Sequence, residues 1–572
     1  MRSLSKKAVW LMIFTVSAVS LAMGATITGT VKGPDGAPLM GAFVRARNTA
    51  TNISTDVLSH EDGHYMVPNL PAGDYVLTIR APGYKAAPQS ETLQTADQRA
   101  KADFALEKGT VTWADISGWQ GKVLFPAGPG REEAIGKCFM CHEWQHRMVP
   151  KMGLNKQGWQ VWGHFMVDVA NPFFLGPNGL TLSDQTIDQA TTYLAQIFGP
   201  HSDLPASPAD LPNYQATVRP FSPEAMNIVY VVYPVDGKWV NDRWVPDPLM
   251  MTAQTYPPTT GMGYPPGGSV WAADIGNANQ VHQINPVTGR VTTYKVPVRI
   301  KNSNYPCTAE GIHAIEVGPR GDAWFAEQGC NRVGRVDPKT GKVTQYQDSY
   351  LPGKVGGIRG GSKHDAHPML VNGKLYVFSS GSPATRLDPA TGKFTPIAGV
   401  PNTYDVIWDR VTKTLFFTQI RPNVPLYEVD PSTLKVIGRF TPTINSKDFM
   451  SHRTAIDAEG NVWMTCYHSS KVCRFDVKTK TFKIYTPLGP DTSDYAIGVG
   501  KGGYIWYSMV ELGTIQRLNP RTGRILEYPV PFTEQKTLRY WPDSQGRIWT
   551  ASQGINAVFY FYLANSNTRA AK

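Results

Sequence analysis

The 572-residue chain has no run of lysine and arginine despite a formal net charge of +11. Its basic residues are scattered, and no nucleic-acid recognition motif accompanies them. Nucleic acid is therefore not an expected partner; a soluble basic surface suits an acidic redox partner better. No segment after residue 24 is apolar for long enough to cross a bilayer. Cysteine is scarce, with six residues, and only one Cys-x-x-Cys pair occurs. A zinc site built from two such pairs is excluded, and the βαβ setting of a thioredoxin-like redox pair is missing. What the chain has instead is 11% aromatic residues, 53 glycines and 45 prolines. That is the composition of many short strands joined by tight turns.

The amino terminus reads as an export signal. Arg2, Lys6 and Lys7 precede an apolar run from Ala8 to Met23, and Ala22-Met23-Gly24 offers small residues for cleavage. The competing reading is a membrane anchor, for which sixteen apolar residues are short. Residues 1–24 are therefore assigned as a signal peptide and the mature protein as periplasmic or secreted. Export permits disulfides, and Cys307 with Cys330 and Cys466 with Cys473 are the expected pairs.

Three units follow, for a mainly β fold. Residues 25–108 alternate apolar strands with turns such as Asp35-Gly36 and Asp62-Gly63, the pattern of an independent β-sandwich. This unit resembles the carboxypeptidase regulatory-like domain, an accessory module that implies no catalytic residue. Residues 109–210 read as a small α-helical unit. Its clearest helix is Ser183 to Phe198, with Ile187, Ala190, Leu194 and Ile197 on one face and Gly199-Pro200 at its end. Residues 222–563 repeat. Val270-Trp271, Ala323-Trp324, Leu375-Tyr376, Leu415-Phe416, Val462-Trp463, Ile505-Trp506 and Ile548-Trp549 recur every 40 to 53 residues. Turns such as Asp337-Pro338-Lys339-Thr340-Gly341 and Asn519-Pro520-Arg521-Thr522-Gly523 follow most of them. Seven such units predict a seven-bladed β-propeller, closed by the strand near residues 228–235 joining the last blade.

Two groups of residues carry chemistry. Cys138-Phe139-Met140-Cys141-His142 is the spacing that holds a c-type haem: both thiols bond the macrocycle and His142 ligates the iron. With Gly158-Trp159 leading to Met166 and Tyr193-Leu194-Ala195 in the closing helix, residues 130–200 resemble class I cytochromes c. Met166 is the candidate sixth ligand, with Met148, Met152, His146 and His164 as rivals. The second group comes from counting back eleven residues from each strand aromatic. The count reaches His313, Asp365, Asp405, His452 and Tyr495, with His364 and His367 flanking Asp365 and with Arg453 and Arg539 nearby. Equivalent positions in a propeller surround one end of its channel, so these residues are expected to converge.

His313 through Glu327 and on to Arg335 is similar to the repeats of virginiamycin B (streptogramin) lyases. That resemblance implies His313, Glu327, His452 and Tyr495 as catalytic candidates, with Mg²⁺ or another divalent metal in the channel mouth. The acid position holds Cys466 after His452 and Met509 after Tyr495, and the family's Glu-Pro-His-Gly element has no counterpart. The favoured reading is an exported haem protein with a redox role, acting on a small-molecule substrate or an electron-transfer partner. The alternatives are a metal-assisted lyase and a non-enzymatic binding scaffold.

Overall fold

The computed structural model describes residues 24–140, 144, 153–164, 182–235, 237–240, 243–246, 252–256, 269–274, 279–298, 311–349, 362–419, 425–444, 450–467, 469–490, 494–533, 536–543, 545–552 and 554–564. The signal segment, Cys141, His142, Met166, Met148, Met152, His146 and Cys307 lie outside them.

The amino-terminal unit is built from two facing sheets. In one, Ala25–Lys32 pairs with His64–Leu70 and, in parallel, with Arg99–Lys101. Its residues alternate buried and half-exposed, as a strand with one face on a core requires. The other sheet runs Ser54–Leu58, Phe43–Asn48, Gly73–Arg80, Gln89–Leu93. Ile27, Val31, Val44, Ala46, Val67, Leu77 and Phe104 fill the space between.

The sheet of this unit continues into the rest of the chain, which the sequence reading did not anticipate. Ser54–Leu58 pairs along its outer edge with Ile228–Pro234, through Tyr230↔Asp56, Val231↔Thr55 and Val232↔Ser54. The same Ile228–Pro234 pairs on its other side with Ala557–Leu563, over all seven of its residues. One continuous eight-stranded sheet therefore runs from Trp541–Pro542 to Gln89–Leu93. The physical reason is edge satisfaction. Each unit would otherwise expose a row of unpaired amides, and the two rows cover each other. Local alternation carries no information on which edges meet.

The helical unit contains Gly118–Leu124, Arg131–Gly136, residues 156–164 and Asp184–Phe198. Ser117 and Gln120 cap the first reciprocally, and Ser183 accepts from Thr186 N at the start of the last. Phe125, Phe139, Trp144, Trp159, Tyr193 and Phe198 form most of its core.

Between residues 252 and 529 lie six four-stranded antiparallel sheets in strict chain order. Trp541–Pro542, Ile548–Ser552 and Ala557–Leu563 make the next, which Ile228–Pro234 completes. The succession returns to its start: Thr252–Tyr256 packs against both Ile312–Val317 and Ile548–Ser552, and Asp494–Val499 against Trp541–Pro542. The repeated aromatic has a repeated job. Trp271 stacks on Tyr294, Trp324 on Tyr346 and Trp463 on Tyr485, with ring centroids 5.6, 5.9 and 5.5 Å apart. Arginines lie over two of the same indoles, Arg335 over Trp324 at 5.6 Å and Arg474 over Trp463 at 6.0 Å. The Asp/Asn-Pro-x-Thr-Gly segments close the outer hairpins: Gly341 N donates to Asp337 O at 2.8 Å with Gly341 at φ +69°. Cys466 and Cys473 are disulfide-bonded within one sheet, Cα atoms 6.8 Å apart. Cys330 is also disulfide-bonded.

Candidate functional site

Five of the six sheets present the start of their first strand, or the loop just before it, to one shared cluster. In four of the six sheets that first strand carries a β-bulge at its start, the first sheet included, where pairing jumps from Thr252 to Gln254. In the other three it jumps from Ile312 to Ala314, from Ser451 to Thr454 and from Asp494 to Ile497. The residues inside these jumps include His313, His452 and Tyr495. A bulge re-aims a side chain out of the regular pleat. The fourth sheet has no such bulge: Asp405 pairs in register with Thr418, and its predecessor Tyr404 faces the other rings.

Five rings from five successive sheets meet here, three on the first strands and two, His364 and Tyr404, on the loops just before them. His313 lies 5.2 Å from His364 and from Tyr404, centroid to centroid, and His364 lies 5.1 Å from Tyr404. His452 is 4.7 Å from Tyr404 and 4.4 Å from Tyr495. His313 Nδ1 is 2.9 Å from the carbonyl of His364 and its Nε2 is 3.1 Å from the Tyr404 hydroxyl. The Tyr404 and Tyr495 hydroxyls are hydrogen-bonded to each other. All five side chains are buried.

Charges form a layer behind the rings. The Arg453 guanidinium stacks over Tyr404 at 4.6 Å and contacts Asp365 and Asp405, both at 3.3 Å. Arg539 pairs with Asp405, with Asp365 at 3.5 Å and with Glu316 at 3.0 Å. His367 Nδ1 meets the other oxygen of Glu316 at 2.6 Å, so His367 joins this layer and not the ring. Burial alone would raise the Asp365 carboxyl, but Arg539 and Arg453 override it and hold it below its usual value. Burial, helped by Arg453, pushes His313 down to about 3, and burial also lowers His364. Burial raises both tyrosines, Tyr404 the further. At neutral pH the ring therefore presents the uncharged imidazoles of His313 and His364 and the phenols of Tyr404 and Tyr495, backed by guanidinium–carboxylate pairs.

The structure thus brings together His313, His364, His452, Tyr495, Asp365, Asp405, Arg453 and Arg539. It does not bring in Glu327. That carboxylate opposes Ile312 across the strand pair but turns to Gln345 Nε2, 2.9 Å from both oxygens, and to Arg332 at 3.5 Å. Burial raises it to about 7. Tyr404 and Glu316 escaped the sequence count. The count of eleven assumes a bulge in every sheet, and in the fourth it lands one residue late. Among the described residues no group of three or more His, Cys, Asp and Glu is arranged to hold a metal ion.

Of the haem-site residues, Cys138 is described. It starts the turn Cys138–Met140 and packs, half-buried, at the margin of the Phe125–Phe139–Trp144–Trp159–Phe198 cluster. The indole Nε1 of Trp159 is buried and has no hydrogen-bond acceptor among the described residues. An aromatic wall with an idle donor fits a flat apolar macrocycle that carries carboxylates on its edge. His164, one rival ligand, is exposed at the end of helix 156–164.

The helical unit is anchored at the ring's end of the array. Trp119 N donates to Glu511 O at 2.8 Å, and Lys122 pairs with the Glu511 carboxylate at 3.0 Å. Glu511 sits in the turn after Ile505–Met509, and Met509 pairs with Asp494, the neighbour of Tyr495. Thr533 donates to Ala114 O at 2.7 Å from the connection that also carries Arg539.

Residues 26–107 match the carboxypeptidase regulatory-like domain family. A comparison with curated protein sequences finds no match. Among solved structures the chain is similar to a streptogramin B lyase, at 18% identity over 60% of this chain and 100% of that one, with a TM-score of 0.47. It is also similar to a catalytically inactive virginiamycin B lyase from Staphylococcus aureus with quinupristin, at 16% identity over 59% of this chain and 100% of that one, TM-score 0.45. A third is the WD40 β-propeller domain of Doa1, at 13% identity over 56% and 99% of the two chains, TM-score 0.38.

Proposed function

We propose that this chain is an exported c-type haem protein, periplasmic or secreted, with a redox role. In this reading the sheets between residues 228 and 563 are the seven blades of a β-propeller, and the ring around Tyr404 at its channel mouth receives a small-molecule substrate or a partner's redox group. Cys138 and Cys141 would attach the haem, His142 would ligate its iron and Met166 would take the sixth position, with the Phe125–Phe198 aromatics around the macrocycle and Trp159 as a donor to its edge. The haem supplies one-electron chemistry when bound. The chain's own contribution at the ring is to exclude water, to orient a ligand against uncharged imidazoles and phenols, and to hold protons at named atoms.

One observation carries this reading: the unit that contains Cys138 is anchored, through Trp119, Lys122 and Glu511, at the end of the array where the ring lies. A haem and a substrate site that work together need to be neighbours; an accessory haem does not. The test is a spectrum of the purified holoprotein before and after candidate substrates are added. Substrate-dependent reduction of the haem supports the proposal, and a haem indifferent to every substrate that binds the ring counts against it.

The second reading is a metal-assisted lyase using Mg²⁺. Its support is that His313 and Glu327 have shifted proton affinities and stand at neighbouring positions of one strand pair. Metal-dependent cleavage of a cyclic depsipeptide with no change in the haem would favour it.

A further inference from the structure

The hydrogen bonds at the ring have a direction. A carbonyl oxygen only accepts, so the contact with His364 O requires that His313 Nδ1 carry its hydrogen and donate. In a neutral imidazole Nε2 is then the bare nitrogen, and it accepts from the Tyr404 hydroxyl. With its hydrogen committed to His313, Tyr404 can take part in the bond with Tyr495 only as acceptor, so Tyr495 donates. The order Tyr495 to Tyr404 to His313 to the His364 carbonyl is thus set by one backbone oxygen. It spans four sheets, from residue 313 to residue 495.

We infer that Tyr495, Tyr404 and His313 form a proton relay that serves a hydroxyl-bearing substrate at the ring. The inference deepens the proposed reading of the ring as a substrate site and rests on it only to that extent. The step balances without an oxidant. The substrate O–H breaks and its proton bonds to Tyr495 Oη. The hydrogen of Tyr495 passes to Tyr404 Oη, and that of Tyr404 to His313 Nε2. The two phenols end as they began, displaced by one hydrogen each. The products are a substrate oxyanion and a His313 imidazolium, whose second N–H is already held by the His364 carbonyl. Both new charges have partners. Arg453 lies over both phenol rings, 4.6 Å from Tyr404 and 5.9 Å from Tyr495, where it stabilises negative charge reaching either phenol oxygen. Asp365 favours the protonated imidazole, but burial and Arg453 outweigh it, so the His313 imidazolium is short-lived and returns its proton through the relay. Because burial keeps His313 neutral at rest, its Nε2 lone pair is available at any ordinary pH.

The proton-transfer residue that sequence counting missed is therefore the central one. Tyr404 touches His313, His364, His452, Tyr495 and Arg453. Without its hydroxyl the ends of the relay lose contact, while a phenylalanine keeps the ring packing.

The test uses the full-length holoprotein and pentafluorophenol, which is not a reductant, in buffer acidic enough to keep the free phenol protonated. Fluorine NMR reads the ionised fraction of bound probe, and nitrogen NMR of labelled histidine reads the protonation of His313. The expected result is that wild type binds the probe with a measurably larger ionised fraction than the free phenol has in the same buffer, with His313 Nε2 protonated in the same proportion. Tyr404→Phe should bind it with the ionised fraction lower by about tenfold or more. Tyr495→Phe, which removes the entry point, should do the same and covers the case in which Tyr404→Phe fails to fold. Equal ionisation in wild type and either folded variant overturns the relay, as does a phenol that does not bind wild type. Ionisation that follows the relay in a protein whose haem no substrate reduces supports the relay while the redox reading fails.

Discussion

The two candidate sites are built in opposite ways. The proposed haem site is local: five consecutive residues, Cys138 to His142, would supply both attachment points and a ligand. The ring is distributed: it draws on residues from 313 to 539, and no two of its aromatic members are neighbours in sequence. A local site survives changes in the surrounding fold, because covalent spacing defines it. A distributed site exists only if every sheet keeps its register and the array closes. The same contrast separates their chemistry. The proposed haem site would import a redox group, while the ring composes its properties from burial and from which nitrogen faces which oxygen.

That contrast predicts a ranked set of effects. The largest is all-or-none. Replacing Cys138 and Cys141 with alanine should abolish haem staining on a denaturing gel, because two thioether bonds hold the group, while the fold of the sheet array is unchanged by circular dichroism. Stain persisting in the double variant would refute covalent attachment. Next comes closure. Deleting residues 222–240 removes the strand that pairs with both Ala557–Leu563 and Ser54–Leu58. It should destabilise the array most, seen as loss of its cooperative thermal transition. Deleting residues 25–108 uncovers one edge of Ile228–Pro234 and should lower the melting temperature less, but measurably. An unchanged transition after the second deletion would show that the continuous sheet contributes nothing.

A smaller effect is expected at the charge layer. Arg453→Met leaves Asp365 and Asp405 with Arg539 alone and should cost about 3–5 kcal/mol in denaturant unfolding. A cost under 1 kcal/mol, as for an exposed pair, would contradict a buried network. The smallest is a pH slope. Burial raises Asp494 from 3.8 to about 8. The folded state therefore holds a proton that the unfolded chain releases above about pH 4. The stability that this proton brings is intact below that pH and is lost as pH rises through about 8. Across the window the slope is at most about 1.4 kcal/mol per pH unit. Asp494→Asn should flatten the fall of melting temperature between mildly acidic and mildly alkaline pH; an unchanged slope would assign the fall to other groups, Glu327 first among them.

How far the sequence foretold this structure follows from the same contrast. The outer-hairpin turns were readable because Asp or Asn, Thr and Gly each have a fixed task there, and Gly289, Gly341, Gly392 and Gly523 all adopt positive φ. His313, His452 and Tyr495 were found by counting from Trp324, Trp463 and Trp506 because each precedes its indole across an equivalent bulge. Tyr404 was not found because the fourth sheet omits the bulge. That Glu327 lies apart from the ring was not readable, because strand position says which residue is adjacent, not which way a long side chain turns, and Glu327 meets Gln345 and Arg332. The continuity of the sandwich with the last sheet was invisible because it depends on which two edges meet, a non-local fact.

The account's central claim is that the haem and the ring act as one device. The most direct measurement is stopped-flow reduction of the oxidised holoprotein by a hydroxyl-bearing reductant that wild type accepts, compared with His313→Ala and Tyr404→Phe, after checking that haem content and resting spectrum are the same in all three. The account predicts reduction slowed by about tenfold or more in both variants, with an unaltered haem spectrum. Equal rates in all three proteins would contradict it and move the reaction to the haem edge.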